Sequence, residues 1–249
     1  MKFGEAVVKI LEKEGITDAF GIPGASINSI YKYLGESKAI RHYTVRHEEA
    51  AAHAAGAYFR ASGRMAACLT TSGPGATNLV TGLYSCQIDS IPLVAITGQA
   101  VTAQLGKDAF QCVDIARISE SVCKATWCVT DAAKGVEILK TAFRIAREGK
   151  PGPVLIDIPL DIQMTDIDFD PETYVPETFA VPAANSADIR KALDMIRAAK
   201  APVIVMGGGV VLADACGLCI EFAERMGIPV ITTYMAKGCI PANHPLNAG

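Results

Sequence analysis

Apolar and polar residues along the chain alternate between two periods. Between Glu5 and Glu14, Ala6, Val7, Ile10 and Leu11 recur at helical spacing, and Gly15 is a fitting stop. Asp18 to Ile22 reads as a short strand, Pro23-Gly24 as a turn and Ser26 to Leu34 as a second helix. Ile40 to Val45 is strand-like, and Glu48 to Ala61 is an alanine-rich helix closed by Gly63. Met65 to Thr71 predicts a buried strand and Ser72-Gly73-Pro74-Gly75 a loop. A helix is expected from Ala76, with Asn78 in its first turn. Ile91 to Thr97 and Pro153 to Ile158 are further apolar strands, separated by an amphipathic helix over Val136 to Ala146. Strands that are apolar throughout, alternating with helices, predict an α/β fold: a doubly wound parallel sheet covered on both faces.

The pattern breaks between Asp161 and Asn185. Asp166, Asp168, Asp170, Glu172 and Glu177 are interleaved there with Pro171, Pro176 and Pro182, which reads as an extended, solvated linker. The expected organisation is a first domain over 1–165, a linker over 166–185 and a second α/β domain beginning at 186. That domain holds helices over Asp188 to Lys200 and Asp214 to Met226, strands over Pro202 to Met206 and Ile228 to Thr233, and a turn at Gly207-Gly208-Gly209. Two strands and two helices are too few for an independent domain. The chain is therefore expected to be truncated, or to be completed by a partner.

Composition narrows the classes without choosing among them. Half of the 249 residues are hydrophobic and a fifth are charged, enough to bury a sizeable core. The net charge of -3 gives no electrostatic reason for a nucleic-acid partner. No apolar run approaches the ~20 residues needed to cross a bilayer, and no signal peptide opens the chain. A cytoplasmic location is expected. Most of the eight cysteines lie in apolar segments. Cys216 and Cys219 form one C-x-x-C, but with no second pair and no histidine nearby it lacks the four ligands of a structural zinc site. Reduced thiols and no metal site are expected.

Four segments follow strands and could carry chemistry, because ligands of parallel sheets gather at the carboxyl ends of the strands. Thr71-Ser72-Gly73-Pro74-Gly75-Ala76-Thr77-Asn78 joins a strand to a helix and is not a Walker loop, since no Gly-Lys-Ser/Thr follows. Val45-Arg46-His47-Glu48-Glu49 delivers a carboxylate to a helix start. An ordinary favourable charge at a helix N-terminus explains Glu49 at least as well as Glu48. Phe20-Gly21-Ile22-Pro23-Gly24-Ala25 and Asp108-Ala109-Phe110-Gln111 complete the set. For Phe110 and Gln111, core packing and a surface amide are the plain alternatives.

In this order and spacing, F-G-I-P-G-A, V-R-H-E, T-S-G-P-G-A-T-N, I-T-G-Q, D-A-F-Q and K-P-G-P-V-L-I-D-I-P resemble the acetolactate synthase and glyoxylate carboligase group of thiamine-diphosphate enzymes. The resemblance covers essentially the whole chain. It implies that residues 1 to about 165 form the pyrimidine-binding domain. In that family the counterpart of Glu48 hydrogen-bonds N1′ of the cofactor's aminopyrimidine, whose exocyclic nitrogen then removes the proton from thiazolium C2. A carboxyl in a small apolar pocket can hold and share a proton in that way. By the same resemblance Thr71, Pro74 and Asn78 contact the pyrimidine. Ala25, Phe110 and Gln111 border the reacting centre, with Phe110 shaping the acceptor site. The implied reaction decarboxylates a 2-oxoacid and ligates the product to a second one, in a homodimer or homotetramer with its active site at the subunit interface, and with room for a regulatory subunit.

The second domain resembles the family's central domain, where Gly207, Gly208 and Gly209 would meet FAD. The run is not a full G-x-G-x-x-G, because Leu212 stands where the last glycine would be. Lys150 stands where acetolactate synthases usually place an arginine against the flavin, and it lacks that residue's planar fork. Leu160 replaces a later lysine and looks like glyoxylate carboligase, whereas Glu48 does not, since those enzymes carry valine there. The expectation is an acetolactate synthase-like carboligase acting on pyruvate, with glyoxylate carboligase as the alternative and a non-catalytic relative as a third reading. Mg2+ is expected to be held mainly by a domain outside these residues, so that this stretch alone does not hold the cofactor.

Overall fold

A computed structural model describes residues 1–249. They divide into two compact units, Met1–Ala180 and Val181–Gly249. In the first unit α1 (Phe3–Lys13) precedes β1 (Asp18–Ile22), followed by α2 (Asn28–Glu36), β2 (Arg41–Thr44), α3 (Glu48–Ser62) and β3 (Ala66–Thr70). The helix expected from Ala76 starts earlier and breaks in two, α4 (Pro74–Thr77) and α5 (Val80–Ile88). Asn78 is thus the residue that ends α4. The unit continues through β4 (Leu93–Gln99), α6 (Ile115–Ser119), β5 (Ala125–Cys128), α7 (Ala132–Arg147), β6 (Pro153–Pro159) and α8 (Leu160–Gln163).

The six strands form one sheet in the order β2-β1-β3-β4-β6-β5, every pair parallel. Every residue of β3, β4 and β6 is buried. That is why these segments read as continuous apolar runs: helices cover both faces. On one face Phe3, Ile10, Ile30, Leu139 and Phe143 of α1, α2 and α7 pack on Leu69, Ile96 and Ile156. On the other, Ala52, Leu83 and Ile115 of α3, α5 and α6 pack on Cys68, Ala95 and Leu155. Edge strand β5 is short and only partly buried, so the apolar pattern did not reveal it.

Residues 166–177, expected as a solvated linker, instead strap the first unit. Phe3 N–H donates to the Thr165 carbonyl and Ile167 N–H to that of Met1, both at 2.9 Å. Lys2 pairs with Asp166 at 2.7 Å, Lys13 with Glu172 at 3.1 Å and Arg144 with Glu177 at 2.8 Å. The acidic residues that suggested solvation meet basic partners on α1 and α7, while Ile167, Phe169 and Tyr174 join the core. Beneath them Glu14 accepts from Tyr174 Oη at 2.6 Å and from Arg147 at 2.5 Å.

The second unit holds α9 (Ser186–Ala198), β7 (Ile204–Met206), α10 (Gly208–Leu212), α11 (Cys216–Met226) and β8 (Val230–Thr232). Strands β7 and β8 are parallel, and Met206, Ala223, Val230, Ala236, Cys239 and Ile240 form a small core. The expected glycine turn is the entry to α10: Gly207 is extended, and Gly208 and Gly209 are already helical. Asn247 bridges Val230 in parallel, which adds a short third pairing beside β8. No helix is long and apolar enough to cross a membrane.

Candidate cofactor-binding site

The strand order creates a switch between β1 and β3: the chain leaves β1 toward β2 on one side and β3 toward β4 on the other. Such a divergence opens a crevice outside the carboxyl ends of the two strands. The loop after β1, residues 23–27, and the loop after β3, residues 71–78, bound it. Thr71 Oγ1 accepts from the Ser26 N–H at 3.4 Å, and the Ser26 and Ser72 hydroxyls lie 2.7 Å apart. The two loops are thereby held against each other.

Glu48 enters from β2 as the first residue of α3. His47 caps that helix, its Nδ1 accepting the Glu49 N–H at 3.3 Å. The two acidic residues then part. Glu49 stays toward the surface near His47 and His53, which suits an ordinary helix-start charge. Glu48 turns inward to 9% exposure, and its Oε2 accepts from Asn78 Nδ2 at 2.8 Å. Its Oε1 takes no hydrogen bond from the protein and faces Gly75, where an added Cβ would lie 3.4 Å away. Tyr31 is close enough to feel this charge. Burial, then the neighbouring Cys68 and Glu48, push its phenol up, and its hydroxyl donates to the Leu69 carbonyl at 2.9 Å.

Glycines let the loops around the crevice pack closely on one another. A Cβ on Gly24 would come within 2.5 Å of the Thr71 Cβ, and one on Gly75 within 2.8 Å of its Cγ2. At Gly73, φ is +60° and a Cβ would meet the Gln111 Cβ at 2.7 Å. The result is a slot edged by backbone, with a buried carboxylate at its base and one carboxylate oxygen unused. Ala25 and Pro74 lie exposed at its rim. Gln111 sits over Gly73 with a φ of +53°, a region that non-glycine residues rarely occupy. Phe110 beside it is 86% exposed.

The loop that carries Phe110 and Gln111 is tied down at both stems. Gln99, at the end of β4, uses its Nε2 to donate to the Val113 carbonyl at 2.7 Å and to Asp157 Oδ2 at 2.8 Å. Thr97 Oγ1 donates to Asp157 Oδ1 at 2.6 Å. At the other stem, Asp161 accepts from the Thr102 N–H at 3.0 Å and from its hydroxyl at 2.5 Å. Asp157 is 1% exposed. Burial pushes its carboxyl up to about 7; the Thr97 and Gln99 hydrogen bonds pull against that rise, and the nearby charge of Asp114 adds to it.

The structure therefore brings Glu48, Thr71, Asn78, Ala25, Pro74, Phe110 and Gln111 to one edge of the sheet. It does not bring Lys150 there. Lys150 lies between α7 and β6, at the amino ends of the strands, on the opposite edge. Gly207, Gly208 and Gly209 belong to the second unit, at the carboxyl end of β7, where a Cβ on Gly208 would meet the Met235 Cβ at 3.1 Å. No group of three or more histidine, cysteine or acidic side chains is placed to hold a metal ion. Asp157 and Asp161 were missed as site residues. The only signal was their place just before and after the end of a buried strand.

Comparison with known proteins agrees with this fold. Residues 1–118 match the thiamine pyrophosphate enzyme N-terminal TPP binding domain, and residues 189–249 the thiamine pyrophosphate enzyme central domain. The chain is 48% identical over 250 residues to a glyoxylate carboligase of Escherichia coli O157:H7, covering 100% of this chain and 42% of that protein. It is 44% identical over 251 residues to the acetolactate synthase large subunit of Corynebacterium glutamicum, covering 100% of this chain and 40% of that protein. To the acetolactate synthase isozyme 1 large subunit of Escherichia coli K12 it is 43% identical over 245 residues, 98% of this chain and 43% of that one. The chain thus spans about two fifths of the length of these relatives.

Proposed function

Because the chain carries the N-terminal and central domains of the thiamine pyrophosphate enzymes and so belongs to that family, we propose that it is the cofactor-activating part of a carboligase. In this reading the enzyme decarboxylates a 2-oxoacid and joins the product to a second 2-oxoacid or aldehyde. One observation carries it: the buried Glu48 carboxylate, fixed by Asn78 on one oxygen and free on the other, beside loops at the carboxyl ends of β1 and β3 that glycines let pack closely. An aminopyrimidine ring fits that donor set, since a ring nitrogen can share a proton with the free oxygen while the flat face lies on backbone. Glu48 and Asn78 would hold the ring edge, and Thr71 and Pro74 its faces. When bound, thiamine diphosphate supplies an electron sink for loss of CO2. The chain's own part is to orient the ring, exclude water through the Ala25 and Phe110–Gln111 rim, and hold a proton at Glu48.

Pyruvate as first substrate, giving acetolactate, is the main reading, supported by Glu48 itself and by the D-A-F-Q loop. Glyoxylate, giving tartronate semialdehyde, is the alternative, favoured by the 48% identity to a glyoxylate carboligase and by Leu160. The remaining parts of the reading follow the family: Mg2+ held by residues outside this chain, an active site completed by a second subunit of a homo-oligomer, and a cytoplasmic location. A flavin lying near Gly207–Gly209 is also part of it. The deciding experiment supplies the full-length protein with thiamine diphosphate, Mg2+ and either pyruvate or glyoxylate. Acetolactate or tartronate semialdehyde identifies the substrate; product from neither refutes the carboligase reading.

A further inference from the structure

We propose that Asp157 and Asp161 are positioning residues, clamping the two stems of the loop that carries Phe110 and Gln111 so that this loop is held over the Glu48 slot. The inference rests on the carboligase reading for its consequence in turnover, but not for the clamp itself. Residues 100–113 contain only one short helical turn, at Thr102–Gln104, and no strand, so their placement depends on side-chain ties. Two carboxylates four residues apart, one within β6 and one in α8, supply those ties. Asp161 takes both the N–H and the hydroxyl of Thr102 at the outgoing stem. Asp157 orients the Gln99 amide, which grips the Val113 carbonyl at the returning stem. The Gln99 amide has no slack. Both of its donor bonds are made by Nε2, and its Oε1 accepts the Ala100 N–H at 2.9 Å. Two residues before Val113 stands Gln111, in a left-handed conformation pressed on Gly73 of the slot. Buried polar networks with every member satisfied fix a single geometry, and loss of one member leaves the others unpaired.

The clamp has a pH response built in. The titratable groups around Asp157 are Asp114 capping α6 and Cys128 on β5, with Cys112 of the loop beyond it. No cation is among them. When Asp157 is ionised, both oxygens accept, and the bond from Gln99 is charge-assisted. When it is protonated, one oxygen becomes a donor and the Gln99 bond loses that charge. The returning stem is therefore held more firmly above the Asp157 transition than below it. Asp161 ties the other stem, through Thr102.

The test uses the full-length protein with thiamine diphosphate. Asp157→Asn and Asp161→Asn are each expected to raise KM for the 2-oxoacid about tenfold, the effect of exchanging one charge-assisted hydrogen bond for a neutral one, with cofactor affinity unchanged. KM of the wild type should fall as pH rises through about 7. That limb should vanish in Asp157→Asn and persist in Asp161→Asn, a split that a merely structural role would not produce. Unchanged KM in both variants, or the same pH limb in Asp157→Asn, overturns the proposal. Amide hydrogen exchange over residues 100–113, measured at one pH, judges the clamp even if the protein proves not to turn over 2-oxoacids. Faster exchange near Thr102 in Asp161→Asn and near Val113 in Asp157→Asn supports it. Exchange equal to wild type overturns it and leaves the carboligase reading to its own assay.

Discussion

Replacing Asp157 by asparagine should change how stability depends on pH, with a sign and size fixed by the burial of this one group. Its carboxyl rises from 3.8 to about 7 in the folded protein because burial penalises the charged form. A carboxyl raised in this way binds its proton more tightly when folded than when unfolded. Its contribution is therefore most favourable below about 4, declines as pH climbs toward about 7, and is level above that. Each pH unit inside the window costs about 1.4 kcal/mol, so the span from pH 5.5 to 8 costs about 2 kcal/mol. For a domain of this size that is roughly 4–8 °C in Tm. Asparagine has no proton to lose, and it can keep its oxygen toward Gln99 while the Thr97 hydroxyl accepts from its amide. The variant should gain about 2 kcal/mol on wild type between pH 5.5 and 8. His42, held below its ordinary value by burial, works in the opposite direction but is common to both proteins and cancels. The assay is thermal unfolding followed by Trp127 fluorescence. This sole tryptophan lies on β5, one residue before the register partner of Asp157, and reports the first unit alone. Parallel pH curves for the two proteins would refute the reasoning.

Four further outcomes are expected. Glu48→Gln in the full-length protein should slow proton exchange at C2 of bound thiamine diphosphate by about a hundredfold or more, with cofactor affinity less affected, by NMR of quenched samples. Gly73→Ala must adopt a φ of +60° and push Gln111 away, so it should cost about 1–3 kcal/mol and weaken cofactor binding by calorimetry. Tyr174→Phe leaves Glu14 with Arg147 but without the phenol, which should cost about 1–2 kcal/mol in urea unfolding. In a timed reaction with a thiol reagent, exposed Cys128 should label in the native protein, but slowly near neutral pH and faster in alkali, because partial burial and then the Asp157 and Asp114 carboxylates push its thiol up to about 12. Buried Cys68, Cys86 and Cys123, the last two pushed up to about 11 and about 12, should wait for unfolding.

The layering of the fold was legible because β3, β4 and β6 are buried on both faces and carry almost no polar residue until their last positions. The loop 71–78 and Glu48 were legible as motifs, since each sits where a strand hands over to a helix. The strap was not. Its composition is that of a linker, and only tertiary pairing with Lys2, Lys13 and Arg144 shows otherwise. The Asp157–Gln99 tie joins residues 58 apart in sequence, which no local pattern records. The inward turn of Glu48 and the outward turn of Glu49 also emerge only from packing, because a helix N-terminus welcomes both.

The strap also dictates an order of events. Helix α1 is made before its partners, yet its backbone entry is bonded to Thr165 and Ile167, and Glu14 just past its far end waits for Tyr174. A chain emerging from the ribosome cannot fully seat this helix until about 160 further residues have followed. Until then the apolar stripe of Phe3, Val7, Ile10 and Leu11 has no complete site. Closure of this unit is thus a late, long-range step in synthesis, and the interval before it is when the nascent protein is most open to aggregation or to chaperones.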